Sequence, residues 1–511
     1  MDTTTTRTSL AILAGLTLCT ACAYALYRYQ PHTASWPRAH MPRGAQTVQA
    51  PLPPPASPPP VTTSSSPLAA ATGSVPSGEV RLSARLDRSA VLSGGDGQAH
   101  VEVTLEAGAA DAHAGDAHRA SDVLVVLDIS GSMSGSKLAN AKQALHQLIG
   151  RIQPSDRFGL VTYESTARVV VPLQAASENN PQRWHHAVDV LETAGGTNMS
   201  AGLDLALEQL TQGKREHTAR VLLLSDGQAN EGDPSLDGLR NRTRHLVRAE
   251  HVLSAMGVGD DFNEDLMTAL AQTGTGNFYY LSQVAQLGRF FDAELRAATE
   301  TVADAVELRF QGDPSVRVLD VSGYELEHVG NGVRVRPGNL YAGQKRTLWV
   351  TLQVPTGKLG SVDVGRFELA YKQQGRTREL TTGELPKLAC VADRDAWKRG
   401  IDKALWEQVV TTEQYEKAKL DLGGAIGRGS ASDISKTVTS YAENRALAKE
   451  LGSASVLQQI DKLEQEETRA KQAAVQPASV RSFEAKQVKS RALFKRRADA
   501  YNDNPLAGMA E

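Results

Sequence analysis

The sequence predicts a doubly wound α/β domain inserted in an antiparallel β-sandwich, followed by a C-terminal helical segment. Three observations carry this. From Asp122 to about Val302, short apolar runs alternate with stretches of helical period, the pattern of a sheet covered by helices on both faces. Alternation of period two flanks that region on both sides. From Asp393 onward the apolar spacing becomes helical.

Length and charge narrow the functional classes first. A chain of 511 residues exceeds what one hydrophobic core supports. With 55 Lys and Arg against 58 Asp and Glu, the formal net charge is −3. No basic excess points to a nucleic-acid partner, so none is expected. The cysteines are Cys19, Cys22 and Cys390, two of them inside an apolar N-terminal run. That leaves neither an intramolecular disulfide framework nor a cysteine zinc site for the folded body.

The N-terminal elements concern topology. Leu10 to Leu26 is an almost unbroken apolar run between Arg7 and Arg28. Its about 17 residues reach the lower limit for a spanning helix. An uncleaved anchor, a signal cleaved at Ala21-Cys22-Ala23 and lipidation of Cys22 all fit, and residues 1–29 are assigned to a signal or membrane anchor. Residues 30–78 are rich in Pro, Ser and Thr, including PLPPPASPPP. They are expected to form an extended, disordered linker holding the body away from the bilayer.

The body follows. Val80, Leu82, Ala84 and Leu86 alternate with polar neighbours, and Val101, Val103 and Leu105 repeat the pattern beyond the turn signal SGGDGQ. Two strands make a poor core alone. Residues 79–120 are therefore expected to pair with strands in 303–390, forming one sandwich around the α/β unit at 121–302. Within that unit VLVVLD (123–128) and RVLLLSD (220–226) read as buried parallel strands that end in a carboxylate. In residues 391–475, Trp397, Ile401, Leu405 and Val409 lie on one stripe, a second helix ends at GGAIGRG, and Val456, Ile460 and Leu463 mark a third. Residues 476–511 are expected to be a poorly ordered tail.

The chemistry gathers at strand ends. Asp128-Ile129-Ser130-Gly131-Ser132 lies where an apolar strand passes into an amphipathic helix, in the ligand-binding crevice of open α/β sheets. Asp128 offers charge, Ser130 and Ser132 offer hydroxyls, and Gly131 is expected to relieve crowding between them. GGTNMSAGL places Thr197 in a loop before a helix, and LLLSDGQAN places Asp226 at a second strand end. Two carboxylates and three hydroxyls suit one hard cation such as Mg²⁺, with Ca²⁺ or Mn²⁺ as alternatives, and leave a coordination position for a partner's Asp or Glu. GSMSGSK lacks the spacing of a phosphate loop, and His185-His186 lack the geometry for zinc. No base, nucleophile elbow or second metal accompanies the site, so an enzyme is not expected.

DISGSM, GGTNM and LLSDG, in this order and spacing, resemble the metal-ion-dependent adhesion site of von Willebrand factor A domains, a Rossmann-like α/β fold. The resemblance implies that Asp128, Ser130, Ser132, Thr197 and Asp226 hold the ion, directly or through water. The flanking β segments resemble those of a group of bacterial envelope proteins and, more loosely, of the inter-α-trypsin inhibitor heavy chains. The expectation is a divalent-cation-dependent protein-binding module for adhesion or assembly. It would be membrane-anchored in a cell envelope facing the periplasm or exterior, or else secreted or a lipoprotein. The competing expectation is a regulatory or chaperone-like partner of an ATPase or other enzyme complex.

Overall fold

The computed structural model describes residues 75–498, apart from 110–119, 178–179, 212–218, 227–228, 259–261, 282–290, 292–293, 296–299 and 374. The apolar run 10–26 and the linker up to residue 74 lie outside the described residues. No helix among the described residues is long and apolar enough to cross a membrane.

The first alternating stretch forms β1 (Val80–Leu86), β2 (Ala90–Leu92) and β3 (Gln98–Ala107). β1 and β3 pair antiparallel, Val80 opposite Ala107 and Leu86 opposite Val101. The α/β unit then runs through β4 (Asp122–Asp128), α1 (Ser136–Ile149), β5 (Arg157–Tyr163), β6 (Ala167–Ala175), α2 (Asn180–Asp189) and α3 (Met199–Thr211). It continues through β7 (Ala219–Ser225), α4 (Leu236–Arg248), β8 (Val252–Val258), α5 (Glu264–Thr273) and β9 (Thr275–Leu281).

Its six strands lie in the order β6-β5-β4-β7-β8-β9. All neighbours are parallel except β6, an antiparallel edge strand on β5. Pro172 sits in β6, where an edge tolerates a residue without an N–H. Strand alternation splits the core in two. Val123, Val125 and Leu127 pack with Leu145 of α1 and Trp184 of α2. Leu124 and Val126 pack with Leu203 of α3, Leu239 of α4 and Leu266 of α5. Both faces of β4 are covered, which is why its sequence is an apolar run rather than an alternation.

The chain returns through β10 (Thr301–Gln311), β11 (Arg317–Val321), β12 (Glu327–Val329), β13 (Gly332–Val335), β14 (Leu340–Tyr341) and β15 (Lys345–Gln353). Next come β16 (Gly360–Val362), β17 (Arg366–Gln373), β18 (Arg376–Thr381) and β19 (Leu388–Val391). One sheet has the order β1-β3-β15-β11 and the facing sheet β12-β13-β10-β17-β18. β3 is thus a central strand, zipped to β15 from Lys345 opposite Glu106 to Gln353 opposite Gln98. Val101, Val103 and Leu105 share one core with Val350 and Leu352 of their own sheet and with Leu308, Phe310, Phe367 and Leu369 of the other. The α/β unit is therefore inserted between β3 and β10 of a sandwich built from both flanks. A buried polar tie joins the two parts: Arg220 of β7 pairs with Glu294 and donates 2.6 Å to the hydroxyl of Tyr341 in β14.

The C-terminal region holds α6 (Arg394–Arg399), α7 (Lys403–Val409), α8 (Tyr415–Arg428), α9 (Ala431–Ala442), α10 (Asn444–Leu451), α11 (Ala454–Ala474) and α12 (Ala478–Ala498). Trp406, Leu422, Ile426, Ile434, Val438, Ile460 and Leu463 form its core. The second helix ends within GGAIGRG as expected, at Arg428 with Gly429 at φ 69° as its left-handed stop. Two other expectations are corrected here. The stripe from Trp397 to Val409 is two helices, because Gly400 closes one and Asp402 caps the next through Leu405 N. Residues 478–498 are not a loose tail. They form α12, which packs against α8 where Gly423 leaves room for Ala485 and Lys489.

Candidate metal centre

The sheet order explains where the site lies. The chain steps from β4 to β5 on one side and later to β7 on the other, so β4 and β7 flank the topological switch point. A crevice opens there at the carboxyl ends of the strands. Asp128 is the last residue of β4, and Asp226 follows the last residue of β7. Both side chains are fully buried. Register brings them together, since Leu127 lies opposite Leu224 and the next residues are Asp128 and Ser225.

A continuous hydrogen-bond chain then crosses the crevice. Ser225 Oγ donates to Asp128 Oδ2 at 2.7 Å, and the Ser130 backbone N–H donates to Asp128 Oδ1 at 2.9 Å. Ser130 Oγ and Ser132 Oγ are 3.1 Å apart, and Ser132 Oγ donates to Asp226 Oδ1 at 2.8 Å. The second oxygen of Asp226 is ion-paired with Lys137 Nζ at the start of α1. Four of the five residues singled out in the sequence are thus in direct succession.

Thr197 enters through its loop. Gly131 N–H donates to Gly195 O and Ala194 N–H to Ile129 O, which lays the 194–197 loop against the 129–131 loop. Asn230 Oδ1 accepts from Thr197 N–H at 2.9 Å, while Asn230 N–H donates to Thr197 O. Thr197 is buried, and Asn198 caps α3 by accepting from Ala201 N–H. The glycine requirement lies elsewhere than expected. A Cβ on Gly131 would meet only Gly195 O at an ordinary 3.6 Å, so this glycine relieves no crowding. Gly195 has φ +60°, and a Cβ there would fall 2.2 Å from Glu164 Oε2.

Burial pushes the Asp128 carboxyl up, against the hydrogen bonds from Ser130 and Ser225, and the charge of Asp226 adds to the rise. Beneath it, burial and then the charge of Asp128 push the Tyr163 phenol well above its ordinary value. Two neighbouring carboxylates out of water are costly unless a cation offsets them. The donor set suits a hard one. It is all oxygen, two carboxylates and the hydroxyls of Ser130 and Ser132, drawn together by hydrogen bonds of 3.1 and 2.8 Å. Among the described residues no group of three or more His, Cys, Asp or Glu could hold a metal, so a site here depends on hydroxyl ligands. Ser225, Lys137 and Asn230 escaped the sequence reading. Ser225 is visible only through strand register, and Asn230 only through the fold of its loop. Lys137 had one signal, a cation in the first turn of a helix.

Comparison with known proteins gives the family of the α/β unit. Residues 122–293 match the family model of the von Willebrand factor type A domain. The α/β unit is such a domain, a class that generally mediates protein–protein interaction or adhesion and commonly binds a divalent metal ion. Escherichia coli YfbK is 30% identical over 272 residues, covering 51% of this chain and 47% of that protein. Human inter-alpha-trypsin inhibitor heavy chain H3 is 24% identical over 313 residues, covering 58% of this chain and 32% of that protein. The chain thus spans about half the length of the first relative and a third of the second. A von Willebrand factor type A structure from Catenulispora acidiphila superposes with a TM-score of 0.57 at 19% identity, covering 73% of this chain and 88% of that one. The ArnB paralog VWA2 from Sulfolobus acidocaldarius gives 0.52 at 16% identity, covering 83% of this chain and all of that one. These two likenesses concern the fold.

Proposed function

We propose that this protein is a divalent-cation-dependent protein-binding module for adhesion or assembly, held in a cell envelope by its apolar N-terminal run. The observation that carries the reading is the oxygen chain from Asp128 through Ser130 and Ser132 to Asp226, at the switch point of the sheet. Asp128, Ser130, Ser132, Thr197 and Asp226 would hold one hard divalent ion, Mg²⁺ or else Ca²⁺ or Mn²⁺. The ion supplies a Lewis-acidic position that an Asp or Glu of the partner fills. The chain's own residues do the rest. Ser225 and the Ser130 N–H orient the Asp128 carboxylate, and Asn230 fixes the Thr197 loop. The reading is therefore one of binding, in which these groups hold and orient an ion for a partner's carboxylate.

The test is thermal melting with EDTA and with millimolar Mg²⁺. An ion that binds only the folded state raises the melting temperature by mass action. Wild type should melt higher in Mg²⁺. Asp128→Asn, which keeps the size and the acceptor for Ser130 N–H, should lose the response, and Ser130→Ala should weaken it. An Asp128→Asn protein with an undiminished Mg²⁺ response would place the ion elsewhere. Protease accessibility in cells tests the anchoring, since digestion from the cytoplasmic side alone would reverse the assigned orientation.

A further inference from the structure

The ion pair between Lys137 and Asp226 is not needed to explain either fold or metal ligation, and local physics opposes it. Lys137 is the second residue of α1, at the positive end of the helix dipole, and the first turn carries no acidic residue to offset it. A cation there is locally unfavourable. A residue that breaks a local rule calls for a compensating role. The compensation is visible. Lys137 Nζ sits on Asp226 Oδ2, while Ser132 occupies Oδ1, and the Asp226 side chain is fully buried.

We propose that Lys137 is the built-in counter-cation of the centre: it weakens divalent-ion binding by itself and strengthens the hold of the loaded site on an incoming carboxylate. This deepens the metal-dependent reading above and rests on it. The argument is a charge count. As ligands of an ion, Asp128 and Asp226 contribute two negative charges, and Lys137, seated on Asp226, returns one. With a divalent ion added, the cluster carries one excess positive charge, which a single carboxylate neutralises. Without Lys137 the same ion would leave the cluster neutral, and a carboxylate would then make it negative. Around buried groups such like-charge terms are poorly screened. The ammonium therefore repels the ion and attracts the carboxylate. It thus shifts the two affinities in opposite directions, while the reciprocal coupling between ion and carboxylate belongs to their own contact.

The experiment uses the whole chain, Mn²⁺ as the metal probe, counted by the electron paramagnetic resonance of the free ion, and acetate as the carboxylate probe. Lys137→Met should bind Mn²⁺ about tenfold tighter than wild type, or more. Acetate should bind the Mn²⁺-loaded wild type several-fold more tightly than the Mn²⁺-loaded Lys137→Met protein. Lys137→Arg should behave as wild type. Lys137→Gln carries the same expectation as the Met variant should the latter fail to fold. In EDTA, Lys137→Met should melt lower than wild type, and adding Asp226→Asn should restore much of the loss. Equal or weaker Mn²⁺ binding by Lys137→Met, or equal acetate affinity of the two Mn²⁺-loaded proteins, overturns the inference. Mn²⁺ uptake by wild type that Asp226→Asn abolishes would leave the metal-dependent reading standing in that case. A wild type that takes up no Mn²⁺ overturns both.

Discussion

Glu264 shows how a single residue sets a response unrelated to the metal centre. It opens α5 behind the Asn263 cap, and its Oε1 is buried without a hydrogen-bond partner among the described residues. Burial pushes its carboxyl up to about 7, against the attraction of Lys489 and Lys486. The folded state thus holds a proton that the unfolded state releases near pH 4.5. By linkage, this contribution to stability is present below that pH and is lost as pH rises toward 7. Glu416, also raised to about 7 by burial, acts in the same direction, so the effect is read as a difference. Denaturant unfolding at pH 5 and pH 8 should show Glu264→Gln losing less stability than wild type, by on the order of 1–3 kcal/mol. Identical pH profiles would mean that Glu264 is hydrated in solution.

Helix α12 carries its weight through two ends. Near its middle Lys489 pairs with Asp265, and Lys486 lies 4.6 Å from the centre of the Phe262 ring, both on the α/β unit. At its far end Arg496 pairs with Glu413 ahead of α8 and with Asp320 in β11. The helix therefore touches all three parts of the body. Glu413 is only 5% exposed, so removing Arg496 strands a buried carboxylate. Arg496→Met should cost about 2–4 kcal/mol in chemical denaturation. Glu413→Gln added to it should recover part of that cost, as coupled neighbours do. Strictly additive losses would show that the pair does not act as a unit. The apolar period could not reveal this helix, because it meets α8 through Ala485 and the gap at Gly423, and small residues give no apolar stripe.

At the scale of the whole molecule, the insertion makes the sandwich depend on residues far apart in the chain. β1 and β3 are half of the sheet β1-β3-β15-β11, so losing them turns the inner strand β15 into a bare edge. A chain lacking residues 75–109 should expose Val350 and Leu352 to water and leave 301–391 open to trypsin. The α/β unit has its own two cores and should resist digestion. Rapid cleavage of both regions at equal rates would show that they fold only as one unit.

The line between sequence and tertiary structure follows physical range. Period two in Val101, Val103 and Leu105, and the apolar run ending in Asp128, report which faces are buried, and burial is written residue by residue. DISGS, GGTNM and LLSDG were legible as a candidate site because each is a local motif, two at strand ends and one in the loop before α3. The sequence alone therefore determined the α/β class, its insertion between β segments and the identity of five candidate ligands. Register and close approach were decided only in three dimensions. Ser225 reaches Asp128 because β4 and β7 pair in one register, and Lys137 reaches Asp226 because α1 starts over the end of β7. Gly195 rather than Gly131 is the constrained glycine because Glu164 comes from another strand end. Such contacts join residues tens of positions apart, and no local period or spacing encodes which of them meet.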